Sequence, residues 1–178
     1  VRDMEVTMEC NPDDITPSLC HTLSQLPVNR ISMGAQTFSD ERLRFLHRRH
    51  NAREVENAIH LLREAGIGNI SIDLMFGFPN ETIQEWQQDL EHAISLNAEH
   101  LSAYSLMYEE GTTMYRLLQQ EKIKETDEDT YLRMYEMLID KMTAAGYKHY
   151  EISNFAKPGF RSRHNCSYWH EVPYIGLA

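Results

Sequence analysis

Asn69-Ile-Ser-Ile-Asp-Leu-Met-Phe-Gly-Phe-Pro79 alternates as far as Phe76 and then stops at Gly77-Phe-Pro79. Ile70, Ile72, Leu74 and Phe76 point one way, and Ser71, Asp73 and Met75 the other. That period of two is a strand, closed by a Gly/Pro turn. After it, Thr82-Ile-Gln-Glu85 is a capping box, and Ile83, Trp86, Leu90, Ala93 and Ile94 make one helical stripe. Before it, Asn51-Ala-Arg-Glu54 opens a helix striped by Val55, Ala58, Ile59, Leu62 and Ala65, which ends at Gly66 and Gly68. A strand between two helices implies crossover connections and a parallel sheet.

The same alternation runs outward in both directions. Glu5-Val-Thr-Met-Glu-Cys10 is a strand closed by Asn11-Pro12, and Thr16-Pro17 opens a helix to about Leu26. Arg30-Ile-Ser-Met-Gly-Ala-Gln36 is a second strand, and Ser39-Asp-Glu caps a short helix to about His47. Toward the carboxyl end, His100 to Leu106 is a strand and Thr112 to about Gln120 a helix. Thr126 to Ala145 is the longest helix, with Tyr131, Met134, Tyr135, Leu138 and Met142 turned inward, and Gly146 stops it. Tyr147 to Asn154 reads as a fifth strand of the sheet, and Lys157 to His170 as a loop. The class is α/β, with parallel strands alternating with helices in an open doubly wound sheet or part of a barrel.

The chain has 178 residues, 42% apolar and 25% charged, which suits one soluble domain with a real core. Lys and Arg number 17 and Asp and Glu 27, for a net charge of −10, so nucleic acid and anionic lipid are poor default partners. No apolar run reaches the roughly 18 to 20 residues of a membrane span, and no signal segment opens the chain. Cys10, Cys20 and Cys166 are too few and too scattered for a disulfide framework, which suggests a reducing, cytoplasmic setting. The ends at Val1 and Ala178 do not read as natural ends, and the expectation is a fragment of a longer protein.

Parallel strands covered on both faces read as near-continuous Val, Ile and Leu. These do not. Arg30, Ser32, Gly34 and Gln36 oppose Ile31, Met33 and Ala35, while Thr7 and Glu9 oppose Val6, Met8 and Cys10. A carboxylate at Asp73 between Ile72 and Leu74 needs a partner. Glu9 and Gln36 lie near the carboxyl ends of their strands, where α/β proteins build sites. A polar cavity lined by Glu9, Gln36 and Asp73 is one reading. A merely solvated sheet face, or an Asp73 ion pair with Arg30 or Arg48, is the other.

Several blocks then occur in one order: Glu9-Cys-Asn-Pro12, Arg30 to Phe38, His47-Arg-Arg-His-Asn51, Ser71 to Pro79, Leu101 to Leu106, Tyr150-Glu-Ile-Ser-Asn-Phe-Ala156 and His164-Asn-Cys-Ser-Tyr-Trp169. Together they resemble the radical S-adenosylmethionine proteins related to oxygen-independent coproporphyrinogen III oxidase, and within them the haem chaperone branch. The resemblance covers nearly the whole chain. It implies a partial radical SAM (β/α) barrel over 1–156, then a haem-motif loop and the start of a following region over 157–178.

It further implies that Glu9, Gln36, Arg48 and Asp73 contact S-adenosylmethionine. Carboxylates accept from ammonium and hydroxyl groups, an amide does both, and an Arg fork suits a carboxylate. By spacing alone, Arg49 and Arg53 are as plausible as Arg48. His164, Asn165, Tyr168 and Trp169 resemble the branch's haem-contacting motif, His as an iron ligand and the aromatics against the porphyrin. A solvated or capping role for His164 is the plain alternative. His164, Cys166 and His170 do not have a standard zinc spacing, and His47 with His50 fits a loop beside the S-adenosylmethionine site better than a metal pair.

One family feature is missing. A [4Fe-4S] cluster would be held by a C-x3-C-x2-C loop, and no such spacing exists here, so no metal site is expected within this chain. That loop and a Gly-Gly-Gly-Thr strand end would precede Val1, and a C-terminal domain would follow Ala178. The chain would then hold about four strands of a six-stranded barrel, with the fifth strand as an extension. The function implied is a cytoplasmic haem chaperone that uses S-adenosylmethionine, a cluster and haem, and delivers haem to a membrane-associated acceptor. Coproporphyrinogen III decarboxylation is the enzymatic alternative. An unrelated barrel enzyme using Glu9 and Asp73 as acid and base is a third reading. Alone, the chain is expected to lack radical activity, and its unpaired strand edges invite self-association.

Overall fold

A computed structural model describes residues 4–176; Val1 and Ala178, where the chain was expected to be cut, lie outside the described residues. The parallel strands are β1 (Thr7–Cys10), β2 (Arg30–Gln36), β3 (Ile70–Phe76) and β4 (His100–Ser105). Between them run α1 (Pro17–Leu23), α2 (Asp40–Phe45), α3 (Ala52–Glu64) and α4 (Ile83–Ser95). Then follow α5 (Thr113–Gln119), α6 (Glu128–Ala144), β5 (Lys148–Glu151), β6 (Asn154–Ala156) and α7 (Arg163–Trp169). The sheet order is β1-β2-β3-β4-β6-β5, and the sheet is open, with β1 and β5 at its edges.

Both expected capping boxes form. Asn51 and Glu54 exchange bonds at the start of α3, and Thr82 and Glu85 at the start of α4. Each satisfies orphan backbone donors of a first helical turn. The stripes these caps orient are buried: Val55, Ala58, Ile59 and Leu62 on α3, and Trp86, Leu90 and Ala93 on α4. They meet Ile31, Met33, Ala35, Ile70, Ile72, Leu74 and Phe76 in one core, so the apolar set of the central strands faces helices. The Trp86 indole N–H donates to the Met134 carbonyl at 3.0 Å, which ties α4 to α6. No helix among the described residues is long and apolar enough to cross a membrane.

Two expectations need correcting. Tyr147 to Asn154 is not one strand. β5 and β6 form a hairpin, antiparallel to each other, and β6 is antiparallel to β4. The Glu151 carboxylate holds the turn, accepting from Ser153 N at 2.8 Å and Asn154 Nδ2 at 2.7 Å. The segment 157–170 is not all loop either. Ser162 accepts from Asn165 N at 3.2 Å and caps the two-turn helix α7. No residue of α7 is buried, so no apolar stripe marks it.

Candidate functional site

The sheet's other face is polar, and the register stacks it in layers. Thr7 lies beside Arg30; above them Glu9, Ser32, Ser71 and His100 lie level; above those, Gly34, Asp73 and Ser102. Two cavities open on this face. One, of about 320 Å3, lies toward the carboxyl ends of the strands and is lined by Glu9, Asn11, Gln36, Arg48 and Asp73, among others. The second, of about 620 Å3, runs from the amino ends of β1 and β2 to Tyr104 near the carboxyl end of β4, and is lined by residues including Glu5, Arg30, Tyr104, His164 and Asn165. Glu9, Ser32 and Asp73 border both, so the two share a wall.

Gln36 owes its direction to a break in the ladder. The β2–β3 register shifts between Gly34 and Gln36, and Gln36 takes a φ of 68°. A bulge of this kind re-aims a side chain, at a cost of order 1–3 kcal/mol for a non-glycine residue in the left-handed region. Neighbours hold the bulge in place. The buried His50 ring donates from Nε2 to the Ala35 carbonyl at 3.2 Å, and burial lowers its basicity, favouring the neutral ring. Just beyond, the Asp89 carboxylate on α4 accepts from Thr37 Oγ1 at 2.5 Å and from Phe38 N at 3.0 Å. His50 is therefore a strut for this rim.

Arg48 enters the smaller cavity, where Nη2 donates to Asn11 Oδ1 at 2.9 Å and to the Gly34 carbonyl at 3.3 Å. Arg49 turns away to Asp13 and Asp14 at 3.0 and 2.9 Å, and Arg53 does not border the cavity. Spacing cannot choose among the three arginines; the turn after α2 does. Gly34 leaves the floor bare. A Cβ there would lie 2.7 Å from Gln36 Nε2 and 3.2 Å from Arg48 Nη2. Asp73 accepts from Ser32 Oγ at 3.3 Å. Burial pushes its carboxyl above the usual range, against the pull of hydroxyl bonds from Ser102 and Ser32 and of the Arg30 charge. A cation would lower it again, so the group is set to receive ammonium or hydroxyl donors.

Of the four residues expected to contact haem, His164 and Asn165 border the larger cavity, while Tyr168 and Trp169 are 50% and 63% exposed and do not. Tyr168 stays near through its hydroxyl, in hydrogen-bond contact with His164 Nε2 at 3.1 Å. Glu5 accepts from Arg163 N at 3.1 Å, holding the start of α7 against the chain entering β1. A buried column supports the cap from the other side. Ser71 Oγ meets His100 Nδ1 at 2.7 Å, His100 Nε2 meets the Tyr150 hydroxyl at 2.8 Å, and that hydroxyl accepts from Ser162 N at 3.3 Å. Burial, with help from the Arg30 charge, lowers the His100 pKa to about 3, so the ring is neutral. Sequence reasoning misses His100, Tyr150 and Glu5 as site residues. Ser71 and His100, level on paired strands, form a polar pair that register could have exposed.

Residues 1–93 match the radical SAM superfamily profile, a span that contains Glu9, Gln36, Arg48 and Asp73. The chain belongs to the radical SAM superfamily. It is 41% identical to the heme chaperone HemW of Bacillus subtilis over 173 residues, 97% of this chain and 46% of that protein. It is 38% identical to the Escherichia coli heme chaperone HemW over 175 residues, 98% of this chain and 45% of that protein. The chain therefore spans under half the length of these curated relatives. The solved structure of coproporphyrinogen III oxidase (HemN) from Escherichia coli superposes with a TM-score of 0.77, covering 96% of this chain and 38% of that one. At 24% identity, that likeness speaks for the fold. The expected partial radical SAM barrel is thus the observed one, its sheet left open.

Proposed function

We propose that this chain is the central part of a radical SAM haem chaperone, with S-adenosylmethionine at the carboxyl end of the sheet and haem at the amino end. The observation that carries the first half is convergence. Glu9, Gln36, Arg48 and Asp73 come from three strands and a loop and border one cavity of about 320 Å3. The donor set fits the ligand. Glu9 and Asp73 accept from its ammonium or ribose hydroxyls, Gln36 both donates and accepts, and Arg48 offers a fork to its carboxylate. Bare Gly34 leaves backbone for a ligand to approach.

Bound to a [4Fe-4S] cluster, S-adenosylmethionine supplies an adenosyl radical in this superfamily. The residues of this chain hold and orient it and keep it charge-matched. Cys10, Cys20 and Cys166 are free, and among the described residues no three His, Cys, Asp or Glu gather at metal-holding distances.

Haem is cargo in this reading. His164 ligates the iron, with Asn165 beside it at the cavity and Tyr168 and Trp169 as aromatic cover. The relatives' name, heme chaperone, supports haem over a coproporphyrinogen substrate. Delivery is to a membrane-associated acceptor protein, in a reducing, cytoplasmic setting. Haem titration of the protein at its full genomic length, followed at the Soret band, tests this. His164→Ala is expected to lose stoichiometric haem or shift its ligation spectrum; an unchanged titration and spectrum would contradict the assignment.

A further inference from the structure

Arg30 opens β2 and is only 4% exposed. Its Nε hydrogen has no partner, and no described residue forms a hydrogen bond or close ion pair with its guanidinium. Three other arginines have side-chain acceptors: Arg42 pairs with Glu85 at 2.9 Å, Arg48 with Asn11 at 2.9 Å and Arg63 with Glu99 at 3.2 Å. A guanidinium keeps its proton in a protein, so it cannot escape burial by becoming neutral. A buried cation without acceptors is unfavourable unless something outside the chain completes it.

The surroundings say what that is. Arg30 lines the cavity of about 620 Å3 that His164 and Asn165 also border, a size suited to a cofactor-scale ligand. Asp73 feels the Arg30 charge but is engaged by Ser32. His100, which also feels that charge, is neutral and bonded at both nitrogens. Glu5, Glu9 and Asp73 in this cavity repel an anion, while Arg30 and Arg163 attract one, and of these two arginines Arg30 is the buried one. A planar guanidinium fork whose buried Nε lacks an acceptor matches a carboxylate.

We propose that Arg30 is the anion-binding residue of this cavity and pairs with a carboxylate of the ligand that His164 holds. Resting on the haem reading above, that carboxylate is a haem propionate. The assignment gives the porphyrin an orientation, with iron toward α7 and a propionate toward the start of β2.

Soret titrations of the full-length protein with haem and with haem dimethyl ester test this, using wild type, Arg30→Gln and Arg30→Lys. Wild type is expected to prefer haem over the ester by about 10- to 100-fold, the scale of a charged hydrogen-bonded contact. Arg30→Gln should abolish that preference by weakening haem and leaving the ester unchanged. Arg30→Lys, which keeps the charge without the fork, should retain part of it. A preference that survives in Arg30→Gln, or is absent in wild type, overturns the proposal. Should Arg30→Gln fail to fold, the wild-type comparison and Arg30→Lys still decide. No binding of either porphyrin by wild type overturns the haem reading itself; tight haem binding indifferent to Arg30 and to esterification overturns only this inference.

Discussion

Gln36, Asp73 and Arg48 show how far single residues can be read in advance. Asp73 and Glu9 are visible because each interrupts an apolar alternation, and a carboxylate among Ile and Leu demands an explanation. Gln36 is visible for the same reason, but its bulge is not. Nothing in Gly34-Ala-Gln36 announces a φ of 68°, because the strut that holds it, His50, comes from the loop before α3. Arg48 is indistinguishable from Arg49 and Arg53 by spacing, since the selecting acceptors, Asn11 and the Gly34 carbonyl, lie far away in sequence.

Gly77 is the residue where backbone freedom matters most. Its φ is +80°, and a Cβ would collide with the Tyr131 ring, whose hydroxyl donates to the Leu106 carbonyl at 3.1 Å. Gly77→Ala adds left-handed strain to a clash that the Tyr131 ring must move to relieve. Urea unfolding is expected to show a loss of about 3 kcal/mol or more. A loss near zero would mean that the turn after β3 is not built this way.

Among elements, that turn also carries a titration. Glu81 accepts from Gly77 N at 2.6 Å and Phe78 N at 3.1 Å, with Arg42 at 3.8 Å. Burial outweighs these and raises its pKa to about 7. The folded state thus holds a proton that the unfolded chain has lost, so this group's contribution is full below about pH 4.5 and is lost as pH rises through about 7. His100 has the opposite sign: its folded pKa is lowered to about 3, so its contribution is lost as pH falls below its unfolded value. The two oppose each other in mild acid, and variants separate them. Between pH 4.5 and 7, Glu81→Gln should gain about 3 kcal/mol relative to wild type, because each pH unit in that window costs the wild type about 1.4 kcal/mol. Parallel stability curves for the two proteins would rule this out.

The elements that sequence reading misses are those whose cause is polar and local. Helices α3 and α4 and strands β2 and β3 have long periodic stripes packing into one core, and pattern finds them. The β5–β6 hairpin and α7 are short and set by single carboxyl and hydroxyl contacts, those of Glu151 and Ser162. Periodicity carries no trace of either.

At the scale of the molecule, one sheet face makes the core and the other lines the two candidate cavities. The helices cover the apolar set, which leaves the polar set of four parallel strands to line two cavities with a common wall. Among the described residues, β1 and β5 end the sheet, each with one edge unpaired. Closing strands or self-association would use those edges.

Asp73 joins all three scales: its carboxylate is largely buried, it borders both cavities, and in the proposed reading it accepts from the nucleoside. Calorimetric titration of S-adenosylmethionine into the full-length, cluster-loaded protein and its Asp73→Asn variant is the direct measurement. The expected result is affinity weakened about 10- to 100-fold, equivalent to about 1.5–3 kcal/mol, with a ligand-free protein at least as stable as wild type at neutral pH. Equal affinity in the two proteins, or a variant that loses stability and binds normally, would contradict the assignment of this face to the nucleoside.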